Sequence, residues 1–257
     1  MMSTQSMKQF DDGDEVDPAA DFTLAPRKLA VVAASKTATF GYAPFFSSIA
    51  ETAAAAGCDT VVYALAPQPG IPLVTHSQLF GKARRITTVI LEVTEPDGSA
   101  VVEVWRQGVR IPHRFRQRLV KSQDGDANKR ALMRGLAART FGPTMFLACA
   151  EANIISIQRD SWATIDRFGF LPKLAGRRLI LNPSHTYMAR PEMKEKRRRY
   201  SEDGRVVVSV WNPGHHAREA KLPWQVFIDG HEASELIAPI AFAEPSIQIG
   251  VYGLGIV

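Results

Sequence analysis

Short, almost wholly apolar runs alternate with amphipathic stretches along most of the chain. Residues 29–34 (LAVVAA) and 60–65 (TVVYAL) have the pattern of strands covered on both faces. Between them, 45–56 places Ile49 and Ala53 on one side of a helix, and Gly57 stands where that helix should stop. Strand, helix and strand in that order predict a parallel βαβ unit. A Pro/Gly-rich loop at 66–72 leads to a helix over 75–84, and two strands, 86–93 and 100–106, flank Pro96-Asp97-Gly98 as an antiparallel hairpin. Further strands are read at 144–148, with a helix beyond it, and at 178–182, with a helix over 191–202. The chain closes with strands at 206–211 and 224–228 and an apolar tail over 247–257. No internal repeat interrupts this order, which predicts a sheet-rich α/β fold.

Polarity adds boundaries and removes some functions. Residues 1–26 are rich in Asp, Ser, Gln and Pro without apolar periodicity, so a disordered arm is expected there and one domain over 27–257. No apolar run approaches the roughly 18 residues that span a bilayer, and the acidic, polar start does not read as a secretory leader. A cytoplasmic protein without membrane contact is the expectation. The formal charge of +5 is spread along the chain. Its one dense run, 194–199, lies among Glu192, Glu195 and Glu202 and reads as the solvated face of a helix, so nucleic acid is not expected as a partner. The two cysteines, Cys58 and Cys149, should be free thiols, with Cys58 in the core. His215 and His216 would point to opposite faces of an extended chain, and no partner stands at ligand spacing, so neither a metal nor another cofactor is expected.

The sharpest local feature is Phe146-Leu-Ala-Cys149-Ala-Glu151, a cysteine at the carboxyl end of a buried strand with a carboxylate two residues on. A turn there can lift a side chain off the sheet toward backbone N–H groups, and a thiol so placed can act as a nucleophile once it is deprotonated. A small buried hydrophobe is the plainer reading of the same position.

This segment resembles the nucleophile elbow of the nitrilase-like carbon–nitrogen hydrolases. In the same order, Gly176-Arg-Arg-Leu-Ile-Leu-Asn182-Pro-Ser184 is similar to that family's strand ending in a Pro-Ser turn. Arg199-Tyr-Ser-Glu-Asp-Gly204, the valine-rich strand after it and Asn212-Pro-Gly214 resemble its helix end, strand and turn, and 224–230 resembles a later strand. The resemblance runs from about residue 28 to 257. It implies an α-β-β-α sandwich of mixed sheets with helices outside, a homodimer or other homo-oligomer, and hydrolysis or acyl transfer on a small amide or nitrile through Cys149. Glu151 would position the elbow or share in the chemistry, and Asn182, Ser184 and His185 would line the substrate pocket.

Two family positions differ. Where a Pro-Glu pair supplies the general base, this chain reads Pro67-Gln68, without an acid. Where a lysine would stabilise the oxyanion, it reads His113-Arg-Phe-Arg116-Gln117-Arg-Leu-Val-Lys121, which leaves Arg116 or Lys121 as the candidate cation. Against the hydrolase reading therefore stands a catalytically degenerate binding or accessory protein, a kind that in some members is linked to plasmid transfer.

Overall fold

The computed structural model describes residues 22–34, 43–65, 74–109, 111–119, 125–185, 188, 190–213 and 222–255. In chain order its strands are β1 (Lys28–Ala34), β2 (Thr60–Tyr63), β3 (Thr88–Thr94), β4 (Ala100–Arg106), β5 (His113–Phe115), β6 (Thr140–Phe141), β7 (Thr144–Phe146), β8 (Ser156–Ile157), β9 (Thr164–Ile165), β10 (Leu179–Ser184), β11 (Val206–Trp211), β12 (Trp224–Ile228), β13 (His231–Glu232), β14 (Ala238–Ile240) and β15 (Ile247–Gly253). The α-helices are α1 (Phe46–Ala55), α2 (His76–Phe80), α3 (Asp126–Arg134) and α4 (Pro191–Ser201). One sheet runs β14-β15-β1-β2-β3-β4-β5, the other β13-β12-β11-β10-β7-β6, and β8 pairs with β9 apart from both.

Alternation along the strands sorts side chains into layers. In β1, Leu29, Val31 and Ala33 enter the core between the sheets, while Ala30, Val32 and Ala34 enter the core beneath α1 and α2. From the second sheet, Leu179, Leu181, Val206 and Val208 meet the first group, whereas Ile180 and Val207 turn outward to Leu132 of α3 and to Met193 and Tyr200 of α4. The architecture is the α-β-β-α sandwich that the resemblance implies. Because each sheet is covered on both faces, its strands read as unbroken apolar runs rather than as alternating ones.

The first βαβ unit and the hairpin form as read. β1, β2 and β3 are parallel neighbours, and β3 and β4 are antiparallel around a turn in which the Ser99 hydroxyl donates to Asp97 Oδ1 at 2.6 Å. Gly57, at φ 87°, ends α1: its N–H donates to Ala54 O and that of Cys58 to Ala53 O, both at 2.9 Å.

The helices are where the expectations need correction. The one read over 75–84 is only His76–Phe80, begun by the Thr75 side-chain cap and ended at Gly81, φ 49°. No α-helix follows β7 directly; the chain makes the tight 3-10 turn Cys149–Asn153 instead. The run 194–199 is not a solvated face throughout, since Lys196 is buried against Asn153 of the turn after β7 and Arg197 against the second sheet, while Arg198 and Arg199 pair outward with Glu195 and Glu202. Within the stretch read as an arm, the Phe22 ring lies tilted 5.1 Å from that of Phe141, and Leu24 is buried with its carbonyl accepting from the Thr144 hydroxyl at 2.6 Å. Among the described residues no helix is long and apolar enough to cross a membrane.

Asn212, just past β11, laces the two sheets together at one end. Its Oδ1 accepts from the Ala34 N–H at 3.0 Å, and its Nδ2 donates to Leu65 O at 2.6 Å. At that same end β7 and β10, which run parallel through a mutual register, deliver Cys149 and His185.

Candidate functional site

Cys149 leaves β7 with φ 41°, in the left-handed region that residues with a Cβ seldom occupy. Such a conformation costs on the order of 1–3 kcal/mol and persists only where the surroundings over-determine it. Here they do. The Asn182 amide donates to Leu147 O at 2.7 Å and to Cys149 O at 3.5 Å, and its own oxygen accepts from the Ser209 hydroxyl at 3.4 Å. Glu151 clasps the turn reciprocally: the Ala148 N–H donates to its Oε2 at 3.0 Å, and its own N–H donates to Ala148 O at 2.8 Å. From the outer helical layer, Tyr200 donates to Ala152 O at 2.8 Å and Lys196 to Asn153 Oδ1 at 2.6 Å.

The Glu151 carboxylate is wholly buried and fully engaged. Arg139, also without solvent exposure, meets it through Nε at 3.2 and 3.3 Å and through Nη2 at 3.1 Å, and the Arg118 N–H adds a bond of 2.7 Å. The remaining edge of the Arg139 guanidinium donates to the carbonyls of Gly135 and Arg116. Each buried charge thus has a partner of opposite sign and every donor an acceptor, the condition under which burial of an ion pair is tolerated.

His185 follows β10 directly and bridges the two sheets. Its Nε2 lies 2.7 Å from Oε2 of Glu92 in β3, and the Cys149 side chain stands near enough to the ring to bear on its proton affinity. Glu92 stands two residues from Ile90 on the strand face that looks into the space between the sheets, which is why a carboxylate of one sheet can reach a histidine of the other. Burial disfavours the charged imidazole, but the acceptors beside it, Cys149 and the Glu92 carboxylate, outweigh that by favouring the protonated ring. The His185 pKa rises from 6.5 to about 10.

The other residues singled out in the sequence fall in different places. Ser184 is fully buried at the end of β10, its hydroxyl without a partner among the described residues. Arg116 places its guanidinium 3.6 Å from Glu95, beside Arg114, which bonds Glu95 and Glu103, and its backbone carbonyl accepts from Arg139 in the elbow's support. Lys121, Pro67, Gln68, His215 and His216 lie outside the described residues. Cys58 is buried, and burial pushes its thiol up to about 11. Among the described residues no group of three or more His, Cys, Asp or Glu is placed to hold a metal. Sequence reasoning missed Glu92, Arg139 and Arg197. For Glu92 a signal was present: a single carboxylate inside the otherwise apolar run of β3 needs a buried partner.

Neither a family model nor a curated protein matches the chain. Among solved structures it is similar to an amidase from Nesterenkonia sp. AN1 carrying the acetamide moiety of fluoroacetamide at its active-site cysteine, with 13% identity, 90% of this chain and 93% of that chain covered and a TM-score of 0.45. A variant of the same amidase in complex with butyramide aligns at 12% identity over 88% and 90% of the two chains with a TM-score of 0.44. Another, described as belonging to the nitrilase superfamily, aligns at 13% over 87% and 90% with a TM-score of 0.43.

Proposed function

We propose that this chain is a cysteine hydrolase of small amides or nitriles in which Cys149 is the nucleophile, His185 the proton carrier and Glu92 the group that orients His185. The observation that carries the reading is the His185 ring, held by Glu92 at 2.7 Å and next to Cys149, whose backbone is strained at φ 41°. A carboxylate, an imidazole and a nucleophile in contact series can do acyl chemistry whatever fold presents them. This series would also replace the acid missing at Pro67-Gln68.

A histidine that stays protonated to about pH 10 acts first as an acid. The reactive form of the pair in this scheme is thiolate beside imidazolium. The thiolate attacks the amide carbon, and the C=O electron pair moves onto oxygen. As the C–N bond breaks, His185 gives its proton to the departing nitrogen and a thioester remains. Neutral His185 then takes a proton from water, the hydroxide adds to the thioester, and collapse releases the carboxylic acid and restores thiolate and imidazolium. Glu151, whose oxygens are all engaged by Arg139 and two N–H groups, is a positioning residue in this scheme. So is Asn182.

Competitive alkylation with iodoacetamide at pH 7, read by mass spectrometry, tests the nucleophile. Cys149 should label well ahead of Cys58, whose thiol is buried and held up to about 11. Turnover of an amide and nitrile panel should vanish in Cys149→Ala and drop about 10²–10⁴-fold in His185→Ala. Equal labelling of the two cysteines, with any turnover unchanged in Cys149→Ala, would sink the proposal. Fast labelling of Cys149 without turnover of any compound would favour the binding-protein reading, which the missing acid at Pro67-Gln68 motivates.

A further inference from the structure

Arg197 projects from α4 into the outer core of the second sheet with no solvent exposure. Its Nη1 donates to Met188 O at 2.7 Å and to Gln225 Oε1 at 2.6 Å, and its guanidinium lies 5.5 Å over the Trp211 ring. These are all neutral partners. The nearby carboxylate, Glu232, is held one side chain away, because Gln225 Nε2 takes its Oε1 at 3.1 Å while Lys194 takes its Oε2 at 3.0 Å. Two donors, Nε and Nη2, are buried and have no partner among the described residues. A buried cation paired only with neutral groups is costly, and burial accordingly lowers the Arg197 pKa to about 9.

The free donors are the informative part. Nε–H and Nη2–H form the side-on edge of a guanidinium, two parallel N–H groups that match the two oxygens of a planar carboxylate. The Ser184 hydroxyl, also buried and unpartnered, sits on the strand position paired with Trp211, the residue over which Arg197 lies. Ser184 is also the residue directly before His185, which meets Glu92 at 2.7 Å, so the unpartnered hydroxyl lies at the end of β10 that carries His185. We propose that Arg197 is the recognition residue for a substrate carboxylate, taken side-on by Nε and Nη2 with the Ser184 hydroxyl beside it. Resting on the hydrolase reading, this narrows the substrates to amides or nitriles that carry a second, anionic end.

Succinate, with its neutral diamide succinamide as the control, tests the subsite on the whole chain at matched ionic strength. Succinate should raise the thermal midpoint and slow iodoacetamide alkylation of Cys149 several-fold, succinamide should do neither, and Arg197→Gln should lose both effects. Arg197→Lys, which keeps the charge and loses the fork, should bind succinate at least tenfold more weakly than the native chain. If Arg197→Gln does not fold, the comparison of succinate with succinamide and sulfate on the native chain still decides, since only a carboxylate should act. Equal effects of succinate, succinamide and sulfate, or full retention in Arg197→Gln, overturn the subsite. The thermal shift needs no reactive thiol, so an unreactive Cys149 with an Arg197-dependent succinate shift would refute the nucleophile and leave the subsite standing. Fast alkylation indifferent to succinate would do the reverse.

Discussion

Two arginines lie fully buried on the second sheet's side of this protein, and they are buried in opposite ways. Arg139 meets Glu151 with three of its bonds and spends the rest on carbonyls, so its charge is neutralised in place and its geometry braces the Cys149 turn. Arg197 meets only a carbonyl, an amide oxygen and an indole face, and its side-on edge is empty among the described residues. Burial alone therefore does not tell a structural charge from a recognising one. What separates them is whether the fold supplies the counter-charge or leaves that to a ligand.

The largest test of this contrast is Arg139→Met. It strands the Glu151 carboxylate in a dry site and should cost about 3–5 kcal/mol in urea denaturation, the usual penalty for breaking a buried pair from one side. A loss below about 1 kcal/mol would mean that Glu151 is not braced by charge. Intermediate in size is the His185–Glu92 pair, a half-buried cation with its own acid. Because the folded pKa of His185 is raised from 6.5 to about 10, its stabilisation is complete below about pH 6.5 and lost as pH rises through about 10. The stability gap between the native chain and Glu92→Gln should thus be wide at pH 6 and narrow at pH 10.5, and turnover should fall over the same upper limb as the acid is lost. A gap that widened toward high pH would reverse the assignment. The smallest effect belongs to Arg197→Met, which removes an unpaired buried charge and keeps the stem's packing. Without ligand its stability should stay within about 1 kcal/mol of the native chain. Were it to fall as far as Arg139→Met, Arg197 would be a structural brace and the comparison would fail.

The principal strands were legible in sequence because both sheets are covered on both faces, which makes each such strand an apolar run. The hairpin at Pro96-Asp97-Gly98 and the end of α1 at Gly57 were legible because turn chemistry is local. Cys149 was found by its place at a strand end and by resemblance. The helix lengths were not legible: α2 is cut short at Gly81, and the elbow is a 3-10 turn rather than a helix start. The charged run in α4 misled because local polarity says nothing of which residues another element will cover, and there the turn after β7 takes in Lys196 and the sheet covers Arg197.

Sequence by itself determined where the principal strands fall along the chain, the α/β class they give, and the thiol at the end of one of them, since each depends on neighbours a few residues apart. Only the tertiary structure decided that thiol's company. Glu92 and His185 are 93 positions apart and belong to different sheets, and they meet because the sheets pack face to face. The same packing decided which arginine received a carboxylate and which did not. Pairing of buried charges depends on distances through space, and those exist only once the layers have closed.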